Sequence, residues 1–220
     1  MSSQTIVALL LSVAVLSCAT STSRPIVAEA TPETYAAAAL TKGTVILAIN
    51  WSRLWNCDRF KSAEIVSMGF DRLPISDVTS ESPPEVFIDE PSRMMRKPAL
   101  LDYALLLNPG EYALTSYEIR AVRLARGTRY FRANRSRLIE HGAPRAGSFE
   151  VKAGEIVYIG DFFVDCQQDP VLWRYYTKGR ESFRSHMNRV QQKYPFIDPD
   201  QVTYRLFQTT NHGREYHLPE

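Results

Sequence analysis

Residues 99–124 read ALLDYALLLNPGEYALTSYEIRAVRL, and their pattern decides the fold class. Two largely apolar runs, Ala99–Leu107 and Glu111–Leu124, flank Asn108-Pro109-Gly110. Short runs bounded by turn residues read as strands. Proline presets the backbone angle and glycine tolerates the left-handed region, so the triplet predicts a hairpin turn. The same chemistry recurs at Lys152-Ala153-Gly154, between Ser148–Val151 and Glu155–Ile159. Upstream, Thr44–Trp51 places Val45, Leu47, Ile49 and Trp51 on one side, as a strand does. Glu64–Phe70 and Glu85–Ile88 add two more strands, and Val202–Phe207 reads as a last one returning to a sheet. Strands of this length each bury one face. The expected class is mainly β: a two-layer antiparallel β-sandwich with its sheets ~10 Å apart.

Two segments depart from that rhythm. Thr31-Pro32-Glu33 combines a cap, proline at the first helical position and an acid in the first turn, which starts a short helix over Tyr35–Leu40 that Lys42-Gly43 ends. Near the end, Phe183, Met187, Val190 and Tyr194 step by helical spacings within Glu181–Tyr194, an amphipathic C-terminal helix closed by Pro195. The organisation is therefore a signal segment at 1–17, a tether with a short helix at 18–42, the sandwich with its helix at 43–207 and a polar tail at 208–220.

With 45% hydrophobic and 11% aromatic residues in 220, the chain has ample material for one core, which excludes global disorder. Twenty-six basic and 24 acidic residues leave a formal charge of +2, so no whole-molecule field invites nucleic acid, and any electrostatic role is local.

The first eighteen residues carry an address. Ile6–Leu16 is mostly apolar, long enough for a signal-peptide core and too short for the ~20 residues of a spanning helix. Val15-Leu16-Ser17-Cys18 resembles the bacterial lipobox, which implies acylation of Cys18 and anchorage in a membrane. Met1–Thr5 offers no Lys or Arg, and Leu16 is larger than usual at its place, so a secretory signal cut near Ala19 is the alternative. Ala19 lacks the aspartate of inner-membrane retention, so the resemblance implies an outer-membrane lipoprotein facing the periplasm. Two other cysteines remain, Cys57 and Cys166. In an exported chain they are natural disulfide partners, closing a loop of about 110 residues, and the alternative is two buried thiols. With no third ligand near either, zinc is disfavoured, and neither a metal nor a cofactor is implied.

Asn108–Leu114 and, downstream, Ser148–Gly160 together resemble uncharacterised bacterial lipoproteins with a prealbumin-like (transthyretin-like) β-sandwich, over about residues 43–166. Leu172–Tyr176, Lys193-Tyr194-Pro195 and Tyr204–Phe207 are similar to the C-terminal part of such proteins. The resemblance implies fold and location and carries no catalytic residue.

The search for chemistry gives one unusual feature. Arg120, Arg123, Arg126, Arg129, Arg132 and Arg135 recur every third residue, with Arg137 close behind. A step of three circles a helix and alternates on a strand, so neither makes a single basic stripe. The segment reads as a strand running into an exposed loop, some of it pairing with the acidic Asp77–Glu90 stretch. The functional alternative is an anion-binding set, Arg123, Arg126, Arg129 and Arg132, facing phospholipid headgroups or other anionic envelope material.

The four histidines, His141, His186, His212 and His217, lie in no hydrolase or metal signature, and His186 reads as a surface residue beside the last helix's apolar stripe. Asp161 and Asp165 would stand ~13 Å apart on one strand at ~3.3 Å per residue, too far for a glycosidase pair. Asp198-Pro199-Asp200 reads as a turn rather than a calcium site. Trp173-Arg174-Tyr175-Tyr176 reads as a clamp between helix and sheet. The expected protein is a lipid-anchored, non-catalytic binding or structural module of the cell envelope, contacting anionic components or another envelope protein. The alternative is a cell-wall or glycan hydrolase whose site assembles from distant residues.

Overall fold

The computed structural model describes residues 29–91, 100–123, 127–166, 169–175, 179–207, 210–211 and 214–215. The signal segment, Cys18, Arg126, Tyr176, His212, His217 and most of the polar tail lie outside the described residues.

Two sheets form a sandwich, with helices outside it. The chain enters through α1 (Pro32–Ala38), whose cap, Thr31, accepts from the Thr34 amide while the Thr34 hydroxyl accepts from the Thr31 amide. β1 (Gly43–Asn50) follows, then β2 (Leu54–Cys57), β3 (Phe60–Arg72), β4 (Val86–Asp89), β5 (Leu100–Leu107), β6 (Gly110–Arg123) and β7 (Gly127–Ala133). A single turn, α2 (Arg135–Leu138), leads to a two-residue ladder of β8 (Ile139–Glu140) and β9 (Ala143–Pro144). Next come β10 (Ser148–Val151), β11 (Ile156–Asp165), β12 (Val171–Tyr175), α3 (Gly179–Lys193) and β13 (Val202–Tyr204), and β14 (Thr210–Asn211) and β15 (Arg214–Glu215) pair at the end.

One sheet, the tall sheet, is centred on β6 and β3. β3 also carries β2 and β4 along its other edge, and β6 carries β10 and β7. The second, the helix-backed sheet, runs β12-β11-β1-β5, with β13 beside the start of β11. Its pairing is mixed: β1 is antiparallel to β5 and parallel to β11, and β13 is parallel to β11. A bulge interrupts the β1–β11 ladder at Gly160, whose φ of 110° suits a residue without a side chain.

β1 shows how the layers are built. Val45, Leu47, Ile49 and Trp51 face the tall sheet, while Ile46 packs on the opposite side with Met187, Val190 and Tyr194 of α3. Both faces and both edges of β1 are covered, which is why its sequence is nearly continuous in apolar residues. The helical stripe expected from spacing is therefore the contact between α3 and the outer face of the helix-backed sheet. At ~1.5–3 kcal/mol per buried side chain it contributes several kcal/mol. The returning strand is β13, three residues long.

The two turn triplets do not make hairpins. Asn108-Pro109 carries the chain from β5 in the helix-backed sheet to β6 in the tall sheet, and Lys152–Glu155 carries it back from β10 to β11. Turn chemistry sets a reversal but not the partner, and at the end of a sandwich the reversal serves equally well to change sheets. Tyr112 ties the first of these corners, donating its buried hydroxyl to the Asn108 carbonyl at 2.9 Å and stacking its ring on Phe149 at 5.5 Å. Hydroxyl-to-backbone ties of this kind brace sandwich corners. Cys57 and Cys166 stand at disulfide distance, with Cα atoms 5.1 Å apart, joining the β2–β3 hairpin to the segment after β11.

Candidate functional site

The arginine ladder is divided among different tasks. β6 and β7 pair antiparallel, and alternation sends successive arginines to opposite faces. On the outer face, Arg120 donates to Glu64 from Nε at 2.8 Å and also lies 3.6 Å from Glu90, and Arg132 pairs with Glu118. Arg135 is buried. Its Nε and Nη2 reach Asp71 at 2.7 and 2.9 Å, and its remaining donors reach the carbonyls of Ser80, Ser82 and Pro83 at 3.0, 2.5 and 3.1 Å. The loop after β3 is thus wrapped around one guanidinium. The expected pairing with the acidic stretch takes this form, at Glu90 and through loop carbonyls.

Arg123 and Arg129 are held differently, against rings: Arg123 lies 4.9 Å from the Phe60 centroid and Arg129 4.8 Å from that of Phe131. Lys61 and Arg53 likewise approach Trp55, at 5.9 and 5.4 Å, though Arg53 also lies 3.4 Å from Glu64 and so shares its charge with that carboxylate. A cation over a ring keeps its charge, whereas one in an ion pair does not present it. The same end of the molecule exposes Leu54, Trp55 and Tyr130 at 43%, 55% and 44%. Of the anion-binding set, Arg123 and Arg129 join this end, Arg132 is paired with Glu118 while also lying 5.1 Å from the Tyr130 centroid, and Arg126 is outside the described residues. β7 itself is a full strand where a loop was expected, because the segment finds β6 as partner.

A second polar centre lies between α3 and the helix-backed sheet. Ala48 of β1 registers with Asp161 of β11 on one side and Asp102 of β5 on the other. The two carboxylates stand two strands apart, ~10 Å between Cα atoms at ~4.8 Å per strand, on the face that α3 covers. Both are buried. Arg189 of α3 forks onto Asp102 at 2.9 and 3.2 Å and donates to His186 Nδ1 at 2.6 Å. Lys193 and Tyr194 donate to the Asp102 carbonyl at 2.6 and 3.1 Å and reach Glu29.

Asp161 is served differently: Tyr158 donates its hydroxyl to Oδ1 at 2.9 Å. Burial pushes the Asp161 carboxyl up to about 6, and Tyr158, also buried and beside that carboxyl, is held protonated. His186 is only 2% exposed, its ring 4.7 Å from that of Tyr158, and burial pushes it down to about 4. It is a buried residue and not the expected surface one, because two acids in an otherwise apolar sheet face draw polar groups of the covering helix inward. A cavity of about 390 Å³ opens here, reached past Glu181, Ser182 and Ser185 on the first turns of α3.

Sequence reasoning missed Asp102 and Arg189. The available signal was an acid inside the apolar run LLDYALLL, which a buried strand tolerates only with a partner. Asp161 and Asp165 do share β11, four residues apart. Trp173 and its neighbours Leu172, Arg174 and Tyr175 belong to β12, which pairs with β11 at the edge of the helix-backed sheet. Asp198 caps a short 3₁₀ turn, accepting from the Asp200 amide at 3.0 Å. Among the described residues no helix is long and apolar enough to cross a membrane, and no group of three or more His, Cys, Asp or Glu is placed to hold a metal. Comparison with family models, curated proteins and solved structures gave no match.

Proposed function

We propose that the protein is a non-catalytic binding module of the bacterial cell envelope, tethered through lipid on Cys18 and contacting anionic envelope material with the end that carries Trp55 and the ring-held cations. The observation that carries the reading is the placement of Lys61, Arg123 and Arg129 over rings at the end of the tall sheet that also exposes Leu54, Trp55 and Tyr130. Cations that keep their charge next to amphipathic rings suit the headgroup region of an anionic membrane surface. The lipobox resemblance, and the similarity to prealbumin-like lipoproteins, support the location. A chain of the eleven residues 18–28 can span at most ~40 Å, which sets the longest reach of such a tether.

Two measurements test it. Cys18→Ser should move the protein from the membrane to the soluble fraction, and unchanged partition overturns the tether. The released protein should sediment with vesicles containing phosphatidylglycerol and not with pure phosphatidylcholine. Lys61→Gln with Arg129→Gln should weaken that binding about thirtyfold, at ~1 kcal/mol per cation near the surface. Equal binding to both vesicle types overturns the contact.

The hydrolase alternative draws support from the cavity where His186 and two carboxylates meet. Its geometry favours binding over turnover: His186 Nδ1 accepts from Arg189, so Nε2 carries the proton and the ring has no lone pair left to act as a general base. Release of product from peptidoglycan or chromogenic glycosides, lost in Asp161→Asn, would reverse that judgement.

A further inference from the structure

The polar cavity under α3 has a floor whose bonding is incomplete in a specific way, and this is independent of the tether and of the basic end. Asp161 is 5% exposed, and the Tyr158 hydroxyl on Oδ1 is its one hydrogen bond among the described residues. The nearby cation, Arg189, is committed to Asp102 and His186. A buried carboxylate without a cation of its own is costly, and a small cation entering the cavity would relieve that cost. His186 supplies the second half. Arg189 donates to Nδ1, which places the imidazole proton on Nε2. That buried Nε2 has no hydrogen-bond partner, since the nearest carboxylate oxygen, Asp102 Oδ1, is 3.8 Å away.

The floor therefore offers one acceptor that bears negative charge and one N–H donor, side by side around Tyr158. The rim adds the Glu181 carboxylate and the hydroxyls of Ser182 and Ser185, all on exposed residues. Arg189 also lines the cavity, but its hydrogen bonds go to Asp102 and His186, so among the described residues Asp161 and Glu181 are the carboxylates there without an ion-pair partner. A neutral polyol would leave both unmatched, and a simple amine would leave the His186 donor unused.

We propose that this cavity binds a small molecule carrying an ammonium and a hydroxyl on adjacent carbons, the ammonium seated on Asp161 and the hydroxyl oxygen accepting from His186 Nε2. Amino sugars and free ethanolamine share this chemistry. The rim serines complete the shell for further hydroxyls, which a sugar has and ethanolamine lacks.

The test is calorimetric titration of the full chain carrying Cys18→Ser with four probes: glucosamine, ethanolamine, glucose and ethylamine. Saturable binding of glucosamine or ethanolamine is expected, at least tenfold tighter than glucose, which lacks the ammonium, and than ethylamine, which lacks the hydroxyl. Tighter glucosamine assigns the sugar source, and tighter ethanolamine the simpler amine. Asp161→Asn, nearly isosteric, should weaken the preferred probe at least tenfold. Glu181→Gln, on the exposed rim and safe for folding, should weaken it a few-fold. Failure of both amino alcohols to bind, glucose or ethylamine binding as tightly, or unchanged affinity in both variants overturns the proposal.

Discussion

Replacing Arg135 by methionine keeps most of the side-chain volume and removes the charge and all its donors. The guanidinium and Asp71 are both buried, and Arg135 donates five hydrogen bonds: two to Asp71 and three to the carbonyls of Ser80, Ser82 and Pro83. Removing one partner of a buried pair costs ~3–5 kcal/mol, because the other charge stays buried alone. Asp71 keeps two donors, the Thr115 hydroxyl at 2.5 Å and the Glu85 amide at 2.9 Å, which places the cost at the lower end, about 3 kcal/mol. For a chain of this size that lowers Tm by about 6–12 °C. Arg135→Lys should fall between, since three donors on one nitrogen cannot meet five acceptors. Asp71→Asn with Arg135→Met should cost less than the two single changes added together, because the double variant leaves no lone charge. Urea and thermal unfolding measure these differences. Limited proteolysis should also cut the loop after β3 faster in Arg135→Met, at temperatures where the sheets stay intact. A loss below about 1 kcal/mol, or additive single effects, would refute the claim that this guanidinium organises the loop.

Two further outcomes follow from the structure. Changing Cys57 and Cys166 together to serine should cost about 4–5 kcal/mol in the chain-entropy account of a loop this long, and peptide mapping without reductant should recover the two cysteines in one linked fragment. In the α3 cavity, two groups titrate in opposite senses. His186, at about 4 against an ordinary 6.5, gives stability that is present above pH 6.5 and lost as pH falls towards 4. Asp161, at about 6 against an ordinary 3.8, gives stability that is present below pH 3.8 and lost as pH rises through 6. Between these limits their slopes oppose each other. Asp161→Asn should therefore unmask stability that rises from pH 4 to 6.5, and His186→Gln stability that falls from pH 4 to 6; parallel curves for both variants would contradict the assignment.

How much of this was legible in sequence differs by element. The alternation in β1 and the helical stripe of α3 report burial directly, and both appear where spacing placed them. β7 and β12 were not legible, since their residues are polar or aromatic without clean alternation and take strand form from the edges of β6 and β11. The corner turns were legible as reversals and not as changes of sheet, because local backbone chemistry says nothing of the partner. The same limit hid the polar centre. Asp102 and Asp161 are 59 residues apart in the chain and become neighbours of Ala48 only through strand order. Arg123 and Arg135, alike in sequence, part company because one meets a ring and the other a buried carboxylate.

The placement of β1 has a consequence for how the molecule comes into being. This strand leaves the ribosome early, yet one of its two edge partners lies more than a hundred residues behind it, and the helix that shields its outer face comes later still. A partial chain ending before β11 would display an apolar ribbon with one bare edge, a surface on which copies can stick to one another. Closing contacts so distant along the chain is slow. Under the envelope location proposed above, that delay would keep the chain unfolded until it has crossed the membrane.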